Sequence, residues 1–267
     1  MRLLVTGAAG FIGSNFVHYW LERYPEDRVV VYDLLTYAGN RASLADVEDR
    51  IAFIQGDIAD LDLASRVLAE ERIDTVVNFA AESHNSLAVL DPGLFARTNV
   101  LGTQLLLEAS RRAEIERFHH ISTCEVFGDL ALDSDEVFTE ESPYRPRTPY
   151  NASKAAADHY VRAYHETFEL PVTITNCSNN YGPYQFPEKV LPLFITNALD
   201  DLPLPMYAST QNRREWLHVL DHCSAIDAST PEPTLYVSPG RPRCSTSSTA
   251  RQWSSTCSHS RRFSVDA

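Results

Sequence analysis

Short apolar runs alternate with stretches of helical spacing along most of the chain. Arg2 to Thr6 is an apolar run closed by glycines, and Phe11 to Tyr24 places its apolar residues three and four apart. Val29 to Asp33 is a second apolar run, so the chain opens strand, turn, helix, strand. Further strands are expected at Ile51 to Ile54, Thr75 to Phe79, Arg117 to Ser122 and Val172 to Asn176, with helices at 62–71, 93–113 and 152–168. Strands and helices in strict alternation predict a Rossmann-type, doubly wound parallel sheet of the α/β class with helices on both faces. This domain is expected to span 1–183.

Prolines at 187, 192, 203 and 205 then interrupt the pattern, and residues 184–227 are expected to begin a smaller C-terminal substrate-binding cap. From 228 to 267 neither apolar period survives and serine, threonine and arginine dominate. Residues 224–267 carry a net charge of +2, against -15 for the first 223. The segment 228–267 is expected to be a disordered tail or a frame-shifted product, which leaves the cap incomplete. No internal repeat is present.

Composition narrows the function. A formal charge of -13 over 267 residues removes the basic face that a nucleic acid or an anionic membrane would require. Five cysteines, at 124, 177, 223, 244 and 257, form neither a CxxC pair nor a disulfide framework, so reduced thiols and a cytoplasmic location are expected. The opening residues enter a strand pattern directly, and no run of eighteen apolar residues occurs.

Between the first strand and helix lies Thr6-Gly7-Ala8-Ala9-Gly10-Phe11-Ile12-Gly13, a GxxGxxG loop. Gly7 permits the tight turn, Gly10 lets backbone approach a pyrophosphate, and Gly13 lets helix and strand pack closely. Asp33, twenty residues beyond Gly13 at the end of the second strand, is placed to bind ribose hydroxyls. Its charge repels a 2′-phosphate, so NAD is expected in preference to NADP. Asp57 and Ile58 suit the adenine edge, and Ala80 is small enough to admit a nicotinamide ribose.

Tyr150 and Lys154 share a helix face in Tyr-Asn-Ala-Ser-Lys, in a chain with only two lysines. An ammonium beside a phenol stabilises the phenolate, which makes Tyr150 a candidate general base. Ser122 to Gly128 follows a strand and so lies at the carboxyl edge of the sheet, within reach of that tyrosine. His218 and His222 are spaced i, i+4 but lack a third ligand, so packing is expected and no metal.

In order along the chain, TGAAGFIG, NFAAESH, STxEVFG, YNASK, NNYGPYQFPEK and NRREWLHV resemble the motifs of extended short-chain dehydrogenases/reductases. Among these the chain is most similar to nucleotide-sugar 4,6-dehydratases, those acting on dTDP-glucose in particular. The resemblance implies that Tyr150 takes the proton of the sugar 4-hydroxyl while the C4 hydride passes to NAD. It gives Lys154 the tasks of lowering the phenol's pKa and holding the nicotinamide ribose. Thr123 would bond the 4-oxygen and Glu125 would remove the C5 proton.

The family's acid for the departing 6-hydroxyl is an aspartate, and here Cys124 stands in its place. A protonated thiol can fill that role, and so can a slower route through water or Glu125. Asn179, Lys189, Arg213 and His84 are the implied substrate contacts, while Arg214 is expected to pair with Glu215 or solvent. The resemblance also implies a homodimer through helices near 93–113 and 152–168. It supplies no match beyond residue 230 for the family's last arginine and tyrosine contacts. Beside an active dehydratase stand three alternatives: a related epimerase, which would not need Glu125; a 5,6-ene-forming dehydratase; and an impaired NAD-binding protein.

Overall fold

The computed structural model describes residues 1–206 and 213–230. Six strands form one parallel sheet: β1 (Arg2–Thr6), β2 (Arg28–Asp33), β3 (Ile51–Gln55), β4 (Thr75–Asn78), β5 (Arg117–Thr123) and β6 (Val172–Cys177). Their spatial order is β3-β2-β1-β4-β5-β6. The order reverses between β1 and β4, and a doubly wound sheet opens its ligand crevice at the carboxyl ends of such a pair. Register follows suit, with Thr6 pairing Tyr32 on one side and Asn78 on the other.

Alternate strand residues feed two cores. On one face Leu4, Val30, Val76, Phe118 and Ile174 pack with α2 (Leu61–Glu70), α5 (Thr103–Arg112) and α6 (Pro149–Phe168). On the other, Leu3, Val5, Val29 and Val77 meet α1 (Phe11–Arg23) and α8 (Val219–Ser229). Strands with both faces covered need no polar alternation, which is why each reads as a continuous apolar run.

Two expected helices differ in detail. The span 93–113 is α4 (Pro92–Phe95), a π-helical turn (Ala96–Gly102) and α5 in succession. Asn99 in that turn reaches back to bond both the N–H and C=O of Glu82 and also Ser153 Oγ. A Cβ on Gly102 would lie 2.8 Å from Ile58, so the turn packs tightly against the loop that follows β3. The span 152–168 begins earlier, at Pro149, because Thr148 caps the Asn151 N–H at 3.1 Å and proline suits the first helical position.

The short α3 (Asn85–Leu90) follows β4. A two-stranded parallel sheet, β7 (Asn179–Tyr181) with β8 (Trp216–His218), and α7 (Val190–Leu199) occupy the region expected to start the cap. That region divides. No residue of α7 is buried, whereas Val219, Cys223 and Ile226 of α8 join the core beneath α1. Asp227 fixes the joint by accepting from Tyr19 and Tyr24 hydroxyls at 3.0 and 2.9 Å, with Arg23 at 2.9 Å. Of the expected tail, residues 231–267 lie outside the described residues. No described helix is long and apolar enough to cross a membrane.

Candidate active site

The glycine loop is built by close approach. Gly7 sits at φ 64°, and a Cβ there would lie 2.6 Å from the Ala80 nitrogen. At Gly13 a Cβ would strike the Gly7 carbonyl, with Ala8 Cα at 2.7 Å. At Gly10 a Cβ would meet only the Gly7 carbonyl within 4 Å, leaving an open backbone edge at the amino end of α1. Phe11 and Ile12 anchor that first turn, half-buried against the core.

Asp33 closes the crevice beside the loop. Its carboxylate accepts from the Ala9 N–H at 2.9 Å and the Leu35 N–H at 2.8 Å. Burial pushes its pKa up and those two amides draw it back. A glycine cradle with a buried carboxylate one strand away fits a dinucleotide with free ribose hydroxyls. Asp57 is occupied otherwise than expected: it pairs with Arg97 at 2.7 Å and accepts from the Ala59 N–H. Ile58 is buried below it. Ala80 donates its N–H to Thr6 Oγ1 at 3.3 Å, pinning the end of β4 to the loop.

Across the crevice, a 3-10 turn at Cys124–Phe127 follows β5, its amide edge capped by Thr123 Oγ1 accepting from Glu125 N at 3.3 Å. Tyr150, in the first turn of α6, is half-buried there with its ring edge-on to Phe95. Desolvation pushes its phenol far up, the Glu125 carboxylate adds to that, and a Thr123 hydrogen bond lowers it. Thr123, Cys124, Glu125 and Tyr150 therefore converge on one point. Burial, then Glu125, drives the Cys124 thiol up to about 11, so it is held protonated at neutral pH.

Two expectations need correction. Arg214 pairs with Glu125 at 3.3 Å and not with Glu215, because β8 runs beside β7 and carries Arg214 over the end of β5. Lys154 makes no hydrogen bond to the phenol. Its ammonium is buried, donates to the Ile121 carbonyl at 2.6 Å and approaches His120 Nε2 at 3.4 Å. The aliphatic stem thus turns the charge toward β5.

The substrate candidates gather on the outer rim. His84 caps α3, accepting the Leu87 N–H on Nδ1 at 3.0 Å, so Nε2 carries the hydrogen that meets Glu188 at 3.1 Å. Lys189 reaches Ser83 O and Glu188 at 3.1 and 3.2 Å. Tyr37 donates to Glu188 at 3.2 Å. Tyr37, His84 and Glu188, with Leu87 and Leu90, line a cavity of about 260 Å³. Asn179 is tied to the Glu215 carbonyl and Arg213 is exposed. His218 caps α8 and packs against Tyr181, while His222 is buried on Asn180, so the two do not form a pair of ligands. Among the described residues no group of His, Cys, Asp and Glu is arranged to hold a metal.

Residues 4–242 match the family model described as GDP-mannose 4,6 dehydratase. The chain belongs to that family. It is 55% identical to the dTDP-glucose 4,6-dehydratase of Mycobacterium tuberculosis over 226 residues, which cover 85% of this chain and 67% of that one. The solved dTDP-glucose 4,6-dehydratase DesIV from Streptomyces venezuelae, with NAD and dTDP bound, superposes with a TM-score of 0.81 at 51% identity, covering 85% and 70% of the two chains. A UDP-glucose 4-epimerase from Thermus thermophilus in complex with NAD has the same TM-score at 32% identity, covering 90% and 78%. The extended short-chain dehydrogenase/reductase fold is thus shared by dehydratases and epimerases.

The sequence did not single out Tyr37, which meets Glu188 on the rim, or Asp158, which lies behind β5. Both gain meaning from neighbours far along the chain.

Proposed function

We propose that this chain is an NAD-dependent hydro-lyase that converts dTDP-glucose into the 4-keto-6-deoxy sugar nucleotide. The observation that carries the reading is the meeting of Glu125, on the turn after β5, with Tyr150, in the first turn of α6, near enough for the carboxylate to disfavour the phenolate. Two bases facing one point are what an oxidation at C4 followed by proton removal at C5 requires. An epimerase would need the first alone.

The Gly7–Gly13 cradle and Asp33 would hold NAD, which when bound would supply the hydride chemistry at C4 and C6. Tyr150, ionised with the help of the Lys154 charge on the same helix, takes the 4-hydroxyl proton, and Thr123 holds the 4-oxygen. The ketone so formed acidifies the C5 proton, which passes to Glu125. Cys124, kept protonated by its surroundings, gives its proton to the 6-hydroxyl as it leaves as water. Glu125 reprotonates C5, and the proton gathered by Tyr150 replaces the one lost from the thiol. The sum is loss of one water.

His84, Lys189, Asn179 and Arg213 are assigned to the sugar diphosphate on the outer rim. A homodimer is proposed through the π-helical turn with α5, where Leu101 is exposed, and through α6, where Tyr160 and Phe168 are exposed. The free thiols of Cys124, Cys177 and Cys223 support a cytoplasmic setting.

Incubation with NAD and dTDP-glucose tests the reading: the expected product has lost one water by mass and shows the alkaline absorbance of a 4-ketone. Intact dTDP-glucose beside bound NAD would establish the impaired alternative instead.

A further inference from the structure

Behind β5 lies a buried group of side chains that the mechanism above does not use. Asp158, one turn beyond Lys154 on α6, has no exposed surface. Its Oδ2 accepts from Ser122 Oγ at 2.7 Å and Tyr144 OH at 2.9 Å. Its Oδ1 lies 3.5 Å from His120 Nε2, the same nitrogen that Lys154 Nζ approaches at 3.4 Å. A neutral imidazole therefore stands between a buried ammonium and a buried carboxylate.

The tautomer of His120 follows from its other neighbour. Thr6 donates its hydroxyl to Asn78 Oδ1 at 2.6 Å, which leaves the Asn78 amide N–H groups facing His120 Nδ1 at 3.2 Å. Nδ1 accepts, so Nε2 carries the hydrogen, 3.5 Å from Asp158 Oδ1, a buried oxygen with no hydrogen-bond partner. Burial and the Lys154 charge hold His120 neutral. The chain Thr6, Asn78, His120, Asp158 thus runs from the glycine loop to the helix that bears Tyr150.

Lys154 is faced by His120 from β5, by Cys177 from β6, and by Asp158 from its own helix. Asp158 is faced in addition by Ser122, Tyr144 and Arg162. The Cys177 thiol, driven up to about 12 by burial, is neutral. Asp158 is the one carboxyl of the set; burial pushes it up, and the Lys154 charge with the Ser122 and Tyr144 hydrogen bonds draws it back. Burial of an amine favours its uncharged form, and a nearby carboxylate opposes that loss.

We propose that Asp158, with His120 as a neutral spacer, is the positioning residue that keeps Lys154 charged and its stem drawn against β5. The inference rests on the dehydratase reading only for the use to which the charge is put.

Because the chain has two lysines, protein labelled with ¹³C at lysine Cε gives two side-chain signals, and Lys189→Arg assigns them. Titration of the full chain without substrate is expected to show the Lys154 midpoint at least about one pH unit lower in Asp158→Asn than in the parent, with Asp158→Glu recovering part of the shift. An unmoved midpoint overturns the proposal, even in an active enzyme. A missing dehydratase activity leaves this readout intact and counts against the functional reading alone.

Should Asp158→Asn fail to fold, the reciprocal variant decides. In Lys154→Met the uncompensated carboxyl is expected to be protonated at neutral pH and to give an infrared band of a buried acid that the parent lacks. Absence of that band in a folded Lys154→Met protein also overturns the proposal.

Discussion

Arg214 Nη1 stands 3.3 Å from Glu125 Oε1, joining two residues 89 apart in sequence over the mouth of the site. Half of the Arg214 side chain is exposed, so the pair contributes no more than about 1 kcal/mol and a substrate displaces it at little cost. Glu125→Gln is expected to lower turnover by roughly 10²- to 10⁴-fold while C4 oxidation persists. Stopped-flow absorbance of reduced nicotinamide would then rise and remain. Arg214→Gln should cost less than about tenfold, in keeping with a weak surface pair. Parent-like turnover in Glu125→Gln would place the C5 base elsewhere.

Cys124 should be chemically quiet. A thiol pushed up to about 11 exposes far less thiolate at pH 8 than free cysteine, so its alkylation by iodoacetamide is expected on the order of a hundredfold slower. Peptide mapping by mass spectrometry reads this directly. Cys124→Asp should speed elimination and Cys124→Ala should slow it. If alanine turns over as fast as cysteine, the leaving hydroxyl takes its proton from another donor.

Gly7→Ala tests the cradle. The new methyl would collide with the Ala80 backbone at a left-handed φ, with a cost of at least about 1–3 kcal/mol. A lower Tm together with lost NAD stabilisation in a thermal shift is expected. Unchanged NAD binding would show that the loop does not carry the cofactor.

Two histidines make the fold acid-sensitive. His119 of β5 and His222 of α8 are buried near each other, and burial lowers them to about 3 and about 4. The unfolded chain binds protons at these groups from its ordinary value of about 6.5 downward, while the folded chain refuses them. Stability is therefore full above pH 6.5 and falls as pH drops toward 4, by on the order of 3 kcal/mol for His222 alone. Urea midpoints at pH 7 and pH 5 measure the loss. Equal midpoints would mean the histidines are not buried as described.

The sheet was legible because each strand is buried on both faces and therefore apolar throughout, and because Gly7, Gly13 and Asp33 act through local backbone geometry. Tyr150 and Lys154 declared themselves by spacing on one helix. What the sequence concealed depends on partners distant in sequence. His119 and His120 are adjacent yet point through opposite faces of β5, one to His222 and the other to Lys154 and Asp158. The pairing of Arg214 with Glu125 required β8 to lie beside β7, and three-residue strands carry no periodic signal. The π turn at Ala96–Gly102 escaped notice because a widened helix keeps nearly the same apolar pattern as a regular one.

The seat of α8 against α1 also constrains how the molecule is made. Phe16, Val17 and Trp20 near the start of the chain belong to the same buried cluster as Val219, Cys223 and Ile226 near residue 230. During synthesis the amino-terminal helix leaves the ribosome about 200 residues before its cover, a wait on the order of 10–40 seconds at usual elongation rates. Until then the part of this cluster that Val219, Cys223 and Ile226 complete is left without its last layer.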